Sequence, residues 1–169
     1  MRFATVMVAI LIAVSSVCAY AAADKKINGF ALQLAPSQNA VQPGTPVWKT
    51  DAAVFVLVRT INNSPRTVHY SLTNPGLDWE MDVRDESGNA VSETEEFRKM
   101  KQDRKTWWTA GRNMLVELKP HETGQDTIAV SYFYNLKSVG KYFIQVRREF
   151  PEAGRGFVES SRLEMTIEQ

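Results

Sequence analysis

"RTVHYSLTNPGLDWEMDVRDESGN" (residues 66–89) is the stretch that decides the fold. Apolar and polar residues alternate twice in it, over Val68 to Leu72 and again over Trp79 to Val83. Such alternation with period 2 is typical of antiparallel strands that have one buried and one solvent-exposed face. Turn residues, "NPG" and "DESGN", follow the two runs, and Gly88 suits a turn that needs a positive φ. The stretch therefore predicts two strands, each followed by a tight turn.

Similar patterns recur on both sides of this stretch. Two strands are predicted before it, "INGFALQLA" and "AVFVLVRTI", and the second is a β-branched and aromatic run that suggests both faces are largely covered. Four more are predicted after it: "NMLVEL", "DTIAVSYFY", "KYFIQVRREF" and "SRLEMTIEQ". The proline-rich "PSQNAVQPGTPVWKTD" is predicted to be irregular, because proline cannot donate to a ladder. The whole pattern predicts an all-β protein, an antiparallel immunoglobulin-like β-sandwich of about seven to nine strands.

One segment, "ETEEFRKMKQDRKTWW" (residues 93–108), interrupts the alternation. It predicts one short helical or irregular insertion. Ser92 and Glu95 have the spacing of a capping box, in which a hydroxyl and a carboxylate satisfy backbone donors at a helix start. Phe97 and Met100 fall on one side of such a helix, so they could dock it onto the sandwich.

Two interpretations of this insertion stay open. In the structural one, the Phe and Met plug one end of the core and the charged side chains are hydrated. In the functional one, the insertion is a recognition surface, because Trp and Arg often dominate protein interfaces and cations over an indole suit an acidic partner. The candidate partner-binding residues are Arg98, Lys101, Arg104, Lys105, Trp107 and Trp108.

The first 23 residues have the composition of a secretory signal peptide. Arg2 supplies the positive charge, and Val6 to Val17 is an apolar run too short to span a membrane comfortably. Small residues then allow cleavage after Ala21 or Ala23. We therefore expect a signal peptide at 1–23 and a single β-sandwich domain at 24–169. The bacterial product would be periplasmic or secreted and would touch the membrane only through its transient leader.

Composition argues against several classes of site. The one cysteine, Cys18, lies in the leader, so the mature chain is expected to lack cysteine and disulfides. The two histidines, His69 and His121, lie in separate elements, which argues against a metal site, and no cofactor motif is present. The 20 Lys and Arg nearly balance the 19 Asp and Glu, so a nucleic-acid partner is not expected.

No catalytic motif is visible either. The chain has no G-x-S-x-G elbow, and its late "GRG" has no following helix pattern that could cradle a phosphate. The sequence therefore predicts a non-enzymatic binding or accessory module with a protein partner.

A tyrosine corner is suggested by "SVGKY", where Tyr142 follows Gly140 at the start of a late strand. In many immunoglobulin-like sandwiches, the hydroxyl of such a tyrosine bonds back to nearby backbone. The alternative is an ordinary core tyrosine after a turn glycine.

Two blocks of the chain resemble a known family. "FVLVRTINNSPRTVHYSL" (55–72) resembles the early strand pair of bacterial intracellular proteinase-inhibitor domains. "VELKPHETGQDTIAVSYFYNLKSVGKYFIQV" (116–146) resembles a later block of those domains and of the β-domains that precede deuterolysin-type metalloproteases. The chain keeps the following turn and core positions of that pattern: Leu118, Pro120, Glu122, Tyr134, Leu136, Gly140 and Tyr142.

One position departs from the pattern, since His121 stands where the family usually has Gly. The resemblance implies the fold. It also suggests an alternative function, inhibition of an extracytoplasmic protease, in which the Arg98 to Arg104 region would be the bait for a trypsin-like enzyme.

Overall fold

A computed structural model of the chain describes residues 29–37, 41, 44–103, 114–150 and 156–169. These residues form ten strands and three short helices. The strands are β1 (Phe30–Pro36), β2 (Val47–Lys49), β3 (Phe55–Asn62), β4 (Val68–Leu72), β5 (Glu80–Asp85), β6 (Met114–Leu118), β7 (Thr123–Ala129), β8 (Gly140–Glu149), β9 (Phe157–Glu159) and β10 (Leu163–Glu168). The helices are α1 (Pro75–Asp78), α2 (Glu95–Gln102) and α3 (Val130–Phe133). The predicted leader at 1–23 lies outside the described residues.

The strands form two main sheets and one smaller pair. One main sheet has the order β1-β3-β7, and the other has the order β2-β10-β8-β5 with β9 paired to β8. The remaining pair is β4-β6. Among the named strand pairs all are antiparallel except β2 with β10. The predicted all-β antiparallel sandwich is confirmed, and its strand count exceeds the expected range because β2 and β9, of three residues each, were not expected.

The core follows the alternation in the sequence. Inward residues of β3, β8 and β10 are almost fully buried and belong to one hydrophobic cluster: Val56, Val58, Tyr142, Ile144, Val146, Met165 and Ile167. Trp48 and Trp79 are buried in the same cluster. Burying a large apolar side chain stabilises the fold by about 1.5–3 kcal/mol, so this cluster accounts for most of the driving force.

Four local predictions were wrong. The proline-rich stretch contains β2, an edge strand that begins after Pro46, where a missing N–H is tolerated. The "NPG" segment forms the one-turn α1 because the Asn74 side chain accepts from the Gly76 N–H. The chain of "DTIAVSYFY" leaves the ladder at Ala129 and continues as α3. The outward face of β3 is only half-buried rather than covered.

The tyrosine corner is present. The Tyr142 hydroxyl donates to the Ser138 carbonyl at 2.9 Å, and the ring is buried. Gly140, at φ +148, starts the strand that carries Tyr142 into the core. The predicted hairpin turn after β5 is also confirmed, with Gly88 at φ +83.

His121 provides a prediction of its own, because it adopts φ +66 in the turn between β6 and β7. A non-glycine residue in this left-handed region costs about 1–2 kcal/mol. The imidazole is exposed, so His121→Gly removes little packing. The backbone strain is partly offset by the greater freedom of glycine in the unfolded chain, and we expect a net gain in stability of up to about 1 kcal/mol. Thermal unfolding followed by circular dichroism measures it, as a rise in Tm of about 3 °C.

Lys119→Gly is the matched control in the same turn, because Lys119 has no positive φ to relieve. It should be neutral or destabilising. Equal shifts for both variants would contradict the backbone explanation.

Candidate partner-binding surface

The three helices gather at one end of the sandwich. β3 begins at Phe55, which pairs with Ala129, and α3 follows directly from there. α2 packs against α3, and the ring of Phe97 lies 4.9 Å from the ring of Phe133. Phe97 and Met100 are both buried. The structural interpretation of these two side chains is therefore confirmed, and it makes α2 a firmly anchored element.

The start of α2 differs from the prediction. Thr94 is the N-cap, with its hydroxyl accepting from the Phe97 N–H at 3.2 Å, so the capping box predicted at Ser92 was wrong. Ser92 is used elsewhere, because its carbonyl accepts from the Asn135 N–H at 3.0 Å. The Thr94 N–H also donates to the carbonyl of Phe133. These backbone hydrogen bonds attach the residues just before α2 to α3 and the residue that follows it closely in sequence.

Two of the six candidate residues lie among the described residues. Arg98 is exposed on α2. Lys101 is also exposed, and its ammonium group lies 2.5 Å from a Glu93 carboxylate oxygen and 4.9 Å from the centre of the Phe97 ring. The structure therefore compensates the charge of Lys101 locally. The other four candidates lie outside the described residues: Arg104, Lys105, Trp107 and Trp108.

A cleft of about 320 Å³ lies beside α2. Its apolar lining comes from α1, β5 and α2, and Glu80, Glu93 and Lys101 stand among its polar residues. The remaining residues that line it are Gly76, Leu77, Trp79, Met81, Phe97 and Tyr134. Sequence reasoning missed this cleft, because its residues come from three segments that only the fold brings together.

Tyr134 closes one side of the cleft. Its hydroxyl donates to the Met81 carbonyl at 2.9 Å. Burial, followed by the nearby carboxylates of Glu93 and Asp82, raises the pKa of Tyr134 to about 12. The side chain therefore stays neutral at physiological pH and serves as a fixed hydrogen-bond donor.

The outer face of the five-stranded sheet is covered with paired charges. Four ion pairs cross it or lie at its edges: Lys141–Glu164 at 2.8 Å, Arg147–Glu80 at 2.7 Å, Arg84–Asp82 at 2.9 Å and Lys49–Glu168 at 3.8 Å. Arg162 also lies over the ring of Phe143, 5.6 Å from its centre. Exposed pairs of this kind add little stability.

Arg148 is a cation that sequence reasoning did not single out. Its guanidinium lies 5.1 Å from the ring centres of Tyr70 and Trp79 and 5.6 Å from that of Phe150. It also donates to the Ser71 carbonyl at 2.5 Å, so it fastens the end of β8 to β4.

The physical setting of Arg148 is that of a structural cation. Burial lowers the pKa of Arg148, which stays charged because a guanidinium titrates far above neutrality. The sequence does indicate this role. The alternation that buries Tyr142, Ile144 and Val146 on β8 also places Arg148 on the inward face of the strand. A charged residue on the inward phase of a strand indicates a buried partner.

In the described ranges no group of three His, Cys, Asp or Glu side chains could hold a metal ion. His69 is exposed, as predicted, and its Nε2 lies 3.3 Å from a Glu117 carboxylate oxygen on the paired strand. Within the same described ranges no helix is both long and apolar enough to cross a bilayer.

The backbone of α2 bears on the inhibitor hypothesis. Arg98 N–H donates to the Thr94 carbonyl, and Asp103 N–H donates to the Lys99 carbonyl. A protease cleft takes its peptide in an extended form, so a bait at Arg98 or Lys101 would require α2 to unwind. Arg104, the end of the predicted bait, lies outside the described residues. Protease inhibition stays a prediction.

Comparison of the chain with models of known protein families gave no match, and comparison with curated protein sequences gave none either.

Proposed function

We propose that this chain is an exported, non-catalytic binding or accessory module with a protein partner. In this proposal it is a bacterial immunoglobulin-like sandwich related in fold to the proteinase-inhibitor domains that its sequence resembles. Its contact surface is the outward face of α2 together with the segment that follows α2 in sequence. Its charge is balanced, so no affinity for nucleic acid is expected.

The observation that carries the proposal is the construction of α2. Buried Phe97 and Met100 hold the helix to the core, and Thr94 caps it. The opposite side of the helix presents Arg98 to solvent. A rigid scaffold of this kind lowers the entropy lost on binding, because its side chains are already positioned. The sequence then continues into Arg104, Lys105, Trp107 and Trp108, residue types that are frequent at the centres of interfaces.

The charges elsewhere favour the same end of the molecule. The outer face of the five-stranded sheet carries four ion pairs that a docking partner would have to break. The α2 side carries two, Lys99–Glu95 at 2.6 Å and Lys101–Glu93 at 2.5 Å, and Arg98 belongs to neither. The cleft beside α2 offers apolar lining and polar groups in one place.

The test is capture of a partner from the native envelope fraction by the processed chain. The mass of the chain recovered from the periplasm or the medium first shows whether it was cleaved after Ala21 or Ala23. We expect Trp107→Ala or Trp108→Ala to weaken capture about tenfold or more, as removal of an interface anchor does. Arg98→Glu should also weaken it, because it replaces the cation at that position with a carboxylate.

The matched control is Arg66→Glu, an exposed arginine in the turn after β3, at the end of that strand opposite α2. It should leave capture unchanged. If none of the α2-side variants alters capture, or if Arg66→Glu weakens it equally, the proposed surface is wrong. A chain recovered with its leader intact would contradict the export part of the proposal.

A further inference from the structure

The two main sheets have very different outer faces. β3 is the central strand of the β1-β3-β7 sheet, and its outward residues are Phe55, Leu57, Arg59 and Ile61. The three apolar ones are half-buried, and they are not among the partly buried residues that pack against the core. Together they form a half-exposed apolar stripe along the outer side of the central strand.

The register across the three strands arranges this face in rows. One row is Ala35, Leu57 and Thr127, and the next is Gln33, Arg59 and Gln125. No carboxylate belongs to these rows, and Arg59 forms no ion pair with another described residue. A single cation thus lies in a polar row beside apolar side chains.

From this arrangement we infer that the outer face of the β1-β3-β7 sheet is a second contact surface, for a protein partner that presents a carboxylate among apolar residues. Arginine suits such a partner, because its planar guanidinium binds a carboxylate through two parallel hydrogen bonds. The inference rests on the proposal that the chain is a binding module, and it names the chemistry of a partner.

Charge decides against a second copy of this chain as the occupant. A twofold symmetric contact centred on this face would bring Arg59 close to its own counterpart, and like charges in a desolvated contact are unfavourable. A carboxylate of an acidic partner would instead be attracted to Arg59 at the same position. The face measures about 20 Å along β3 and about 15 Å across, or about 300 Å². A footprint of this size, which includes the polar row, can only be the centre of a standard interface of about 800 Å² per partner.

The test uses two probe peptides that differ at one position. The first is acetyl-Ser-Leu-Thr-Val-Thr-Glu-Thr-Leu-Ser-amide, in which the glutamate shares one face of an extended peptide with the apolar residues, and its twin has lysine in place of glutamate. Nuclear magnetic resonance titration of the processed chain should show that the glutamate peptide shifts amide signals of β3 and β7. Its affinity should be about tenfold or more above that of the twin. Arg59→Gln should abolish the difference between the two peptides.

Matched variants distinguish peptide binding at this surface from binding at α2. Leu57→Lys should remove binding of the glutamate peptide, whereas Thr166→Lys, on the outer face of the other sheet, should not. Arg98→Glu should leave peptide binding unchanged, so failure of the α2 proposal and failure of this one are distinguishable. Equal binding of both peptides, shifts confined to α2, or self-association that Leu57→Lys abolishes would each overturn the inference.

Discussion

Replacing Asn62 by aspartate is expected to lower the free energy of unfolding by about 4 kcal/mol at pH 7, because it buries a charge without a counter-ion and sets one carboxylate oxygen against carbonyl oxygens. Asn62 is completely buried at the end of β3. The two N–H groups of its side-chain amide face three carbonyl oxygens, of Arg66 at 2.8 Å and of Leu118 and Lys119 at 3.0 Å each, so one hydrogen is shared between two acceptors. Its side-chain oxygen accepts from the backbone and hydroxyl of Ser64. One side chain thus holds together two turns that are distant in sequence.

The pH dependence of Asn62→Asp has a definite sign. In the folded variant, burial and the three facing carbonyl oxygens raise the pKa of the introduced carboxyl above its unfolded value of about 3.9. Folding then favours the protonated form, which can still donate one hydrogen bond. The loss of stability relative to the parent should be smallest below the unfolded pKa. It should grow as the pH rises through that value and level off above the raised folded pKa.

Urea unfolding of parent and variants at several pH values between about 4 and 8 measures these differences. Asn62→Ala separates the lost hydrogen bonds from the added charge, with an expected loss of about 3 kcal/mol that does not change with pH. Asn63→Ala is the matched control, because its side chain is exposed in the same turn. If Asn62→Asp were no less stable than Asn62→Ala at pH 7, or showed the opposite pH trend, the buried-charge explanation would fail.

The sequence predicted the alternating strands well because alternation is a local property. Val68, Tyr70 and Leu72 are all buried on β4, and their polar neighbours are exposed, as the period of 2 requires. β2 was missed because its pairing with β10 depends on residues more than 100 positions away. A three-residue edge strand carries no periodic signal of its own.

Two choices between similar neighbouring residues, one at the candidate surface and one at the far end of β3, were harder to predict. Ser92 and Thr94 are both hydroxyl residues close to the helix start, and the choice of Thr94 depends on its backbone bond to Phe133. Asn62 and Asn63 look equivalent in "NNSP", yet only the first faces Leu118 and Lys119, which are 56 and 57 residues away. Local propensities do not distinguish the two neighbouring residues in either case, so tertiary contacts decide which of them takes the role.

The second large effect is expected for Gly76→Ala in α1. Helix propensity and core packing predict opposite changes in stability at this position. Alanine is better than glycine in a helix by about 1 kcal/mol, so propensity alone favours Gly76→Ala. A Cβ at this position would lie 2.6 Å from Cζ of Phe133 and closer still to Cε1, far inside van der Waals contact. The ring has little room to move, because Phe97 packs on it at 4.9 Å and Tyr132 at 5.3 Å. Overpacking of a core costs about 1–3 kcal/mol or more, so we expect a net loss of about 2 kcal/mol.

A double-mutant cycle with Phe133→Leu isolates the steric term. The smaller side chain makes room for the methyl group, so in that background Gly76→Ala should be neutral or slightly stabilising, in line with helix propensity. Urea unfolding of the four proteins followed by circular dichroism gives the coupling energy, which should be about 2 kcal/mol. An equal loss from Gly76→Ala in both backgrounds would mean that the ring of Phe133 is not what excludes a side chain at position 76. The close packing of α1 on α3 would then no longer explain why glycine stands in this helix, and the cleft beside α2 would lack its rigid wall.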